Sequence, residues 1–121
     1  MARLIEALLR DMGASRIERA RNGRQAINYL RKNLDIYDLI ISDWEMPEVS
    51  GIELLRELRK RRPQLPFLML TANRGSAEIL AAKDARVTAY MSKPFKVGDL
   101  QMKILTITGR ITPKEEIISI C

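Results

Sequence analysis

The chain has 121 residues, 46% of them hydrophobic and 30% charged, which suits one compact domain and leaves no room for a second. It has no histidine and a single cysteine, Cys121, which excludes an internal disulfide, a Cys/His metal cluster and the histidine-dependent nucleophile pairs. No apolar run approaches the roughly 20 residues needed to span a bilayer, and the N-terminus lacks a signal-peptide pattern, so the expected location is the cytoplasm, with no membrane partner.

In chain order, Leu4, Ile5, Leu8, Leu9 and Met12 recur at helical spacing, and Gly13 is a natural stop. The next stretch, RIERA (16–20), alternates as a short strand does, and Asn22-Gly23 turns the chain. Ala26, Ile27 and Leu30 mark one face of a second helix. YDLIISD (37–43) is a continuous apolar run of strand length, the pattern of a parallel strand covered on both sides. After a loop containing Pro47 and Gly51, Ile52, Leu54, Leu55 and Leu58 mark a third helix.

LPFLMLTA (65–72) is another strand of the buried kind, and Ser76 is placed to cap a helix through about Ala85 that includes Ile79, Leu80 and Ala81. VTAYMS (87–92) is a strand before Lys93-Pro94. A last helix carries Val97, Leu100, Ile104 and Leu105 and ends at Gly109. Strict alternation of helix and strand predicts an α/β fold with a parallel sheet and helices on both faces. The tail 110–121 lies outside that alternation.

The net charge of +6 raises the question of nucleic acid. Arg56, Arg59, Lys60, Arg61 and Arg62 surround the end of the third helix, where cations complement the helix macrodipole. With few aromatics nearby and no binding motif, a solvated face is the expectation, and no nucleic-acid partner.

Sites in open parallel sheets lie beyond the C-terminal ends of the strands. Asp43, Thr71 and Lys93 all fall there. Singly each has a bland account, as a turn former, a β-branched strand residue and a solvated cation. Together they have a chemistry. A carboxylate can attack a phosphoryl group to form an acyl phosphate, and an ammonium and a hydroxyl donor suit its charged peripheral oxygens. A cis bond at Lys93-Pro94 would fix how the lysine projects.

The stretches DLIISDWEMPEVSGIELLRELR (38–59), PFLMLTA (66–72) and AYMSKPF (89–95), with ARLIEALLRDMGASRIERARNGRQAI (2–27) before them, resemble a response-regulator receiver domain of the single-domain chemotaxis (CheY-like) type. The resemblance covers about residues 2–109 and implies a flavodoxin-like doubly wound sheet. It implies that Asp43 is the phospho-acceptor for a histidine kinase, and that Thr71 is a switch hydroxyl with Ala72 as its small neighbour. Lys93 would pair with the acid or the phosphoryl group. Tyr90 would be an aromatic switch, with a half-buried strand aromatic as the plain alternative. Glu45 and Asn73 would tune the lifetime of the phosphorylated state. Signalling by protein contact rather than enzymatic turnover is implied, with chemotaxis or flagellar motor components as partners.

One departure matters. Receiver domains ordinarily begin with a hydrophobic strand ending in two adjacent acids, and this sequence begins at the helix that follows. Mg²⁺, which the family uses, would be left with Asp43 and Glu45, so metal binding should be weak or absent and phosphorylation impaired. The chain is therefore divided into a receiver-like unit (1–109) lacking its first strand and a tail (110–121). EEIISI (115–120) has strand character, and a right-handed crossover could carry it into the empty slot, within one chain or exchanged between two copies as a homodimer. A disordered tail is the alternative. For function, the competing readings are a phosphorylation-independent binding module of the same fold and a truncated receiver fragment.

Overall fold

The computed structural model describes residues 2–13, 16–33, 37–44, 49–71, 76–108 and 116–120. Among these residues five helices and five strands alternate: α1 (Ala2–Asp11), β1 (Arg16–Ala20), α2 (Gly23–Asn33), β2 (Tyr37–Asp43), α3 (Gly51–Arg61), β3 (Phe67–Thr71), α4 (Ser76–Asp84), β4 (Ala89–Ser92), α5 (Val97–Thr108) and β5 (Glu116–Ile120). The strands form one sheet in the order β1-β5-β2-β3-β4, with every pairing parallel.

β5 lies second in the sheet, hydrogen-bonded to β1 on one side and β2 on the other. Ile118 is opposite Glu18 and Ile40, and Ile120 is opposite Ala20 and Ser42. The flavodoxin-like order 2-1-3-4-5 is thus present, with its second position filled from the C-terminal side of α5. A register shift between Tyr37 and Leu39 sets two β2 steps against one on β5, a bulge at Asp38. It explains why Tyr37 and Leu39, two residues apart, enter opposite cores.

One core, on the side of α2, α3 and α4, contains Ala26, Leu30, Tyr37, Ile40, Leu54, Leu55, Leu58, Phe67, Met69 and Ala85. The other, on the side of α1 and α5, contains Ile5, Leu8, Leu9, Leu39, Ile41, Leu68, Leu70, Leu100 and Ile104. Alternate residues of β2 and β3 feed the two cores, as strand pleating requires. The Tyr37 hydroxyl donates to Glu18 Oε2 at 2.9 Å, joining β2 to β1 across the intervening β5.

Helix faces differ in detail from the apolar patterns. In α4 the buried residue is Ala82, followed by Ala85 just past the helix, while Leu80 is exposed. In α5, Leu100 and Ile104 are buried, whereas Val97 and Leu105 are exposed. The third and fourth strands are shorter than their apolar runs. Thr88 precedes β4, and its hydroxyl accepts from Phe67 N–H at 2.9 Å.

The solvated face expected for the α3 cations is corrected at Arg59, which is buried. Its Nε donates to the Arg86 carbonyl at 2.8 Å, one terminal nitrogen donates to the carbonyls of Arg62 (3.0 Å) and Leu65 (2.8 Å), and the other to Thr88 Oγ1 (3.3 Å). A guanidinium's planar fork can serve four acceptors where an ammonium cannot. Desolvation by burial, aided by the nearby charge of Arg86, holds its pKa below the usual arginine value. Arg62 is also engaged, donating to the Tyr37 carbonyl at 2.8 Å.

The loop after β2 is closed by Gly51 N–H donating to the Trp44 carbonyl at 2.8 Å, and Ser50 caps α3 by accepting from Glu53 N–H. A Cβ on Gly51 would collide with the Asp43 carbonyl oxygen and lie 2.9 Å from Met69 sulfur. The glycine lets α3 start directly against the end of β2.

Deleting residues 113–121 removes both ladders of β5. Thermal melts should show a Tm lower by at least about 15 °C, or no cooperative transition. Arg59→Ala strands the acceptors that the guanidinium serves and should cost about 3 kcal/mol in urea unfolding, with Arg59→Lys recovering little. Gly51→Ala should cost about 1–3 kcal/mol in the same measurement and alter the emission of Trp44, whose carbonyl the loop bond holds.

Candidate functional site

Three strand ends converge. Asp43, the last residue of β2, is opposite Leu70, and Thr71, the last residue of β3, is opposite Ser92, which ends β4. Two backbone hydrogen bonds extend the ladders past the side chains: Trp44 N–H to the Leu70 carbonyl at 2.8 Å and Lys93 N–H to the Thr71 carbonyl at 2.7 Å. Lys93 is thus tied to β3 before its side chain turns to the acid.

The Lys93 ammonium forms an ion pair with Asp43 Oδ1. Asp43 is 9% exposed and Thr71 6%, so both sit at the mouth of the sheet rather than in open water. Asp43 Oδ1 is buried and accepts no hydrogen bond in favourable geometry, so the ammonium charge is its compensation. A buried carboxylate with one cationic partner is an expensive arrangement to keep for stability alone. The Lys93-Pro94 peptide is cis.

Strand alternation separates the members of the set. Asp43 continues the row of Leu39 and Ile41, and Lys93 that of Met91, all on the side of α1 and α5. Thr71 continues the row of Phe67 and Met69, on the side of α2, α3 and α4. Tyr90 is opposite Met69, half-buried, and packs against that same core. Tyr90 also lines a shallow groove with Met91, Ser92, Asp99, Met102, Lys103 and Thr106. Met102 stands out of that groove at 64% exposure, which the apolar pattern of α5 did not single out.

Glu45, Ala72 and Asn73 lie outside the described residues. Among the described residues no group of three or more His, Cys, Asp or Glu side chains could hold a metal. Mg²⁺ demands near-octahedral oxygen ligation, and Asp43, the carboxylate at these strand ends, already faces an ammonium. The described residues therefore do not fit a Mg²⁺ site. Also among them, no helix is long and apolar enough to cross a membrane.

Known proteins match this arrangement over most of its length. Residues 1–105 match the family described as the response regulator receiver domain. The chemotaxis protein CheY of Pseudomonas aeruginosa is 38% identical over 113 residues, spanning 92% of this chain and 90% of its own. Chemotaxis protein CheY-3 of Vibrio cholerae is 35% identical over 113 residues, spanning 92% of this chain and 85% of its own. Among solved structures, Vibrio cholerae CheY4 superposes with a TM-score of 0.79 at 28% identity, covering 88% of each chain. A response regulator receiver domain protein from Clostridium thermocellum gives 0.78 at 28% identity, covering 89% of this chain and 85% of its own. With the family pattern and these relatives spanning nearly all of it, the chain belongs to the response regulator receiver domain family.

Proposed function

We propose that the protein is a cytoplasmic signalling switch in which Asp43 accepts a phosphoryl group from a histidine kinase. The observation that carries this reading is the ion pair between Lys93 and the buried Asp43 at the strand ends. In the transfer, a carboxylate oxygen of Asp43 attacks phosphorus, the O–P bond forms as the N–P bond breaks, and the electron pair leaves with the kinase imidazole. The Lys93 ammonium stands where it can follow the charge from the carboxylate to the phosphoryl oxygens. The Thr71 hydroxyl is the donor that could swing to a phosphoryl oxygen, and Tyr90, on the same face as Thr71, would move as it does. The groove between β4 and α5, which Tyr90 lines, would then change shape for a partner.

The relatives named as chemotaxis proteins favour a chemotaxis or motor component as that partner. Glu45 and Asn73 are the positions proposed to set the lifetime of the phosphorylated state. β5 is both late in sequence and internal to the sheet, so it is the segment two copies could exchange to form a homodimer. A second reading, a module of the same fold that works by contact without phosphorylation, is favoured by one observation: the described residues offer no carboxylate cluster for Mg²⁺.

Trp44 adjoins Asp43, so its fluorescence separates the two. Addition of beryllofluoride or acetyl phosphate should change Trp44 emission in wild type and leave Asp43→Asn unchanged, with a requirement for Mg²⁺ well above that of ordinary receivers. No response at any Mg²⁺ concentration tested would reject the phospho-switch in favour of the contact module.

A further inference from the structure

α2 begins at the same edge of the sheet as Asp43. Ala20, the last residue of β1, is opposite Ile120, and Ile120 is opposite Ser42, so β1 ends level with β2. The start of α2 is fixed by polar groups. Gln25 N–H donates to Asn22 Oδ1 at 2.8 Å, and Arg21 N–H donates to Gln25 Oε1 at 2.6 Å. Asn22-Gly23, which the sequence suggests as a turn, is therefore the cap and the first residue of the helix, and Gly23 is buried.

Backbone conformation does not call for a glycine at position 23. Gly23 lacks the left-handed φ that Gly13 adopts, and in a helix glycine is a poorer choice than alanine. What excludes a side chain is Val49. A Cβ on Gly23 would collide with the Val49 carbonyl oxygen and lie 2.7 Å from Val49 Cβ and 3.0 Å from its carbonyl carbon. None of these atoms is the far end of a flexible side chain, so room for a methyl comes only from moving backbone. Val49 is itself buried, and it stands two residues before Gly51, which meets the Asp43 carbonyl and donates to that of Trp44.

We propose that Gly23 is a positioning residue for Asp43. Its bare backbone is the stop on which Val49 rests, and it sets where the stretch from Val49 to Gly51 holds the strand end that carries the acid. The consequence for phosphoryl transfer rests on the phospho-acceptor reading of Asp43; the geometry of the stretch does not. A methyl at position 23 pushes Val49 away from α2, and the shift passes through Gly51 to the carbonyls of Asp43 and Trp44. Attack on phosphorus is sensitive to such a shift, because the attacking oxygen has to be held in near-attack geometry. If Gly23 served packing alone, the same methyl would lower stability and leave the acid where it is.

The test compares the full chain carrying Gly23→Ala with two controls. Gly98→Ala puts the same methyl into the first turn of α5, where a Cβ meets nothing within 4 Å. Ala26→Gly weakens α2 from a buried position without adding an atom near Val49. Without ligand, Gly23→Ala should shift Trp44 emission and the amide signals of Asp43, Trp44 and Gly51. With Mg²⁺ it should weaken beryllofluoride binding at least about fivefold, while both controls keep wild-type emission and affinity. In the wild type, an NOE between the Gly23 α-protons and Val49 is expected, a readout that needs no variant to fold. The proposal is overturned by the absence of that NOE, or by a Gly23→Ala protein with wild-type Asp43 and Trp44 signals or wild-type beryllofluoride affinity. An equal loss of affinity in Ala26→Gly overturns it as well. A wild type that binds no beryllofluoride at any Mg²⁺ concentration overturns the phospho-acceptor reading instead, and the ligand-free signals then decide the positioning on their own.

Discussion

The pairing of β5 with both β1 and β2 is the constraint on which the rest of the molecule depends. Without it β1 and β2 would face each other across the width of a strand, each presenting an unpaired row of N–H and C=O groups. α1 would lose part of its floor on one side, and α2 on the other. The hydrogen bond from Tyr37 to Glu18 shows how closely the flanking strands are fitted to the inserted one, since it bridges them over its width. The bulge at Asp38 belongs to the same fit, because it turns Tyr37 toward Glu18 while leaving Leu39 and Ile41 in the opposite core.

The site follows from that sheet and from a local choice at its edge. β2 and β3 end side by side, and a backbone bond ties Lys93, the first residue past β4, onto β3, from where the ammonium reaches Asp43. Gly51 adds the other half of the geometry. It allows α3 to begin against the Asp43 carbonyl, which holds the strand end in place under the acid. Among the described residues, the charge that faces Asp43 is the Lys93 ammonium. Under the proposed transfer it is the Lys93 ammonium that would exchange the carboxylate for the more highly charged phosphoryl oxygens.

Much of this was legible in the sequence. Continuous apolar runs with strand-like length identified β2 to the residue, and the strand-end positions of Asp43, Thr71 and Lys93 followed from topology alone. The β-strand character of residues 116–120 could be read, as could a slot for it. What periodicity could not supply was side-chain fate. Arg59 looks like any cation in a basic helix end, and only the folded positions of Arg86, Leu65 and Thr88 make it a buried clamp. Leu80, Val97 and Leu105 match an apolar stripe, yet they stand exposed in the fold. The bulge at Asp38 is equally silent, because it arises from register with a strand about 80 residues away in sequence.

That separation has a consequence for how the site is held. Parallel pairing between β1 and β5 closes a loop of nearly the whole chain, and its entropic cost must be met before the ladder forms. Local units such as β2-α3-β3 can form earlier, but the second position of the sheet stays open until β5 arrives. The last paired residue of β5, Ile120, is opposite Ser42, the residue immediately before Asp43. Ser42 in turn donates its hydroxyl to the Asp43 carbonyl at 2.9 Å. Any change that loosens β5 therefore reaches the backbone of the acid through one ladder step, and the C-terminal strand contributes to positioning Asp43 through its backbone.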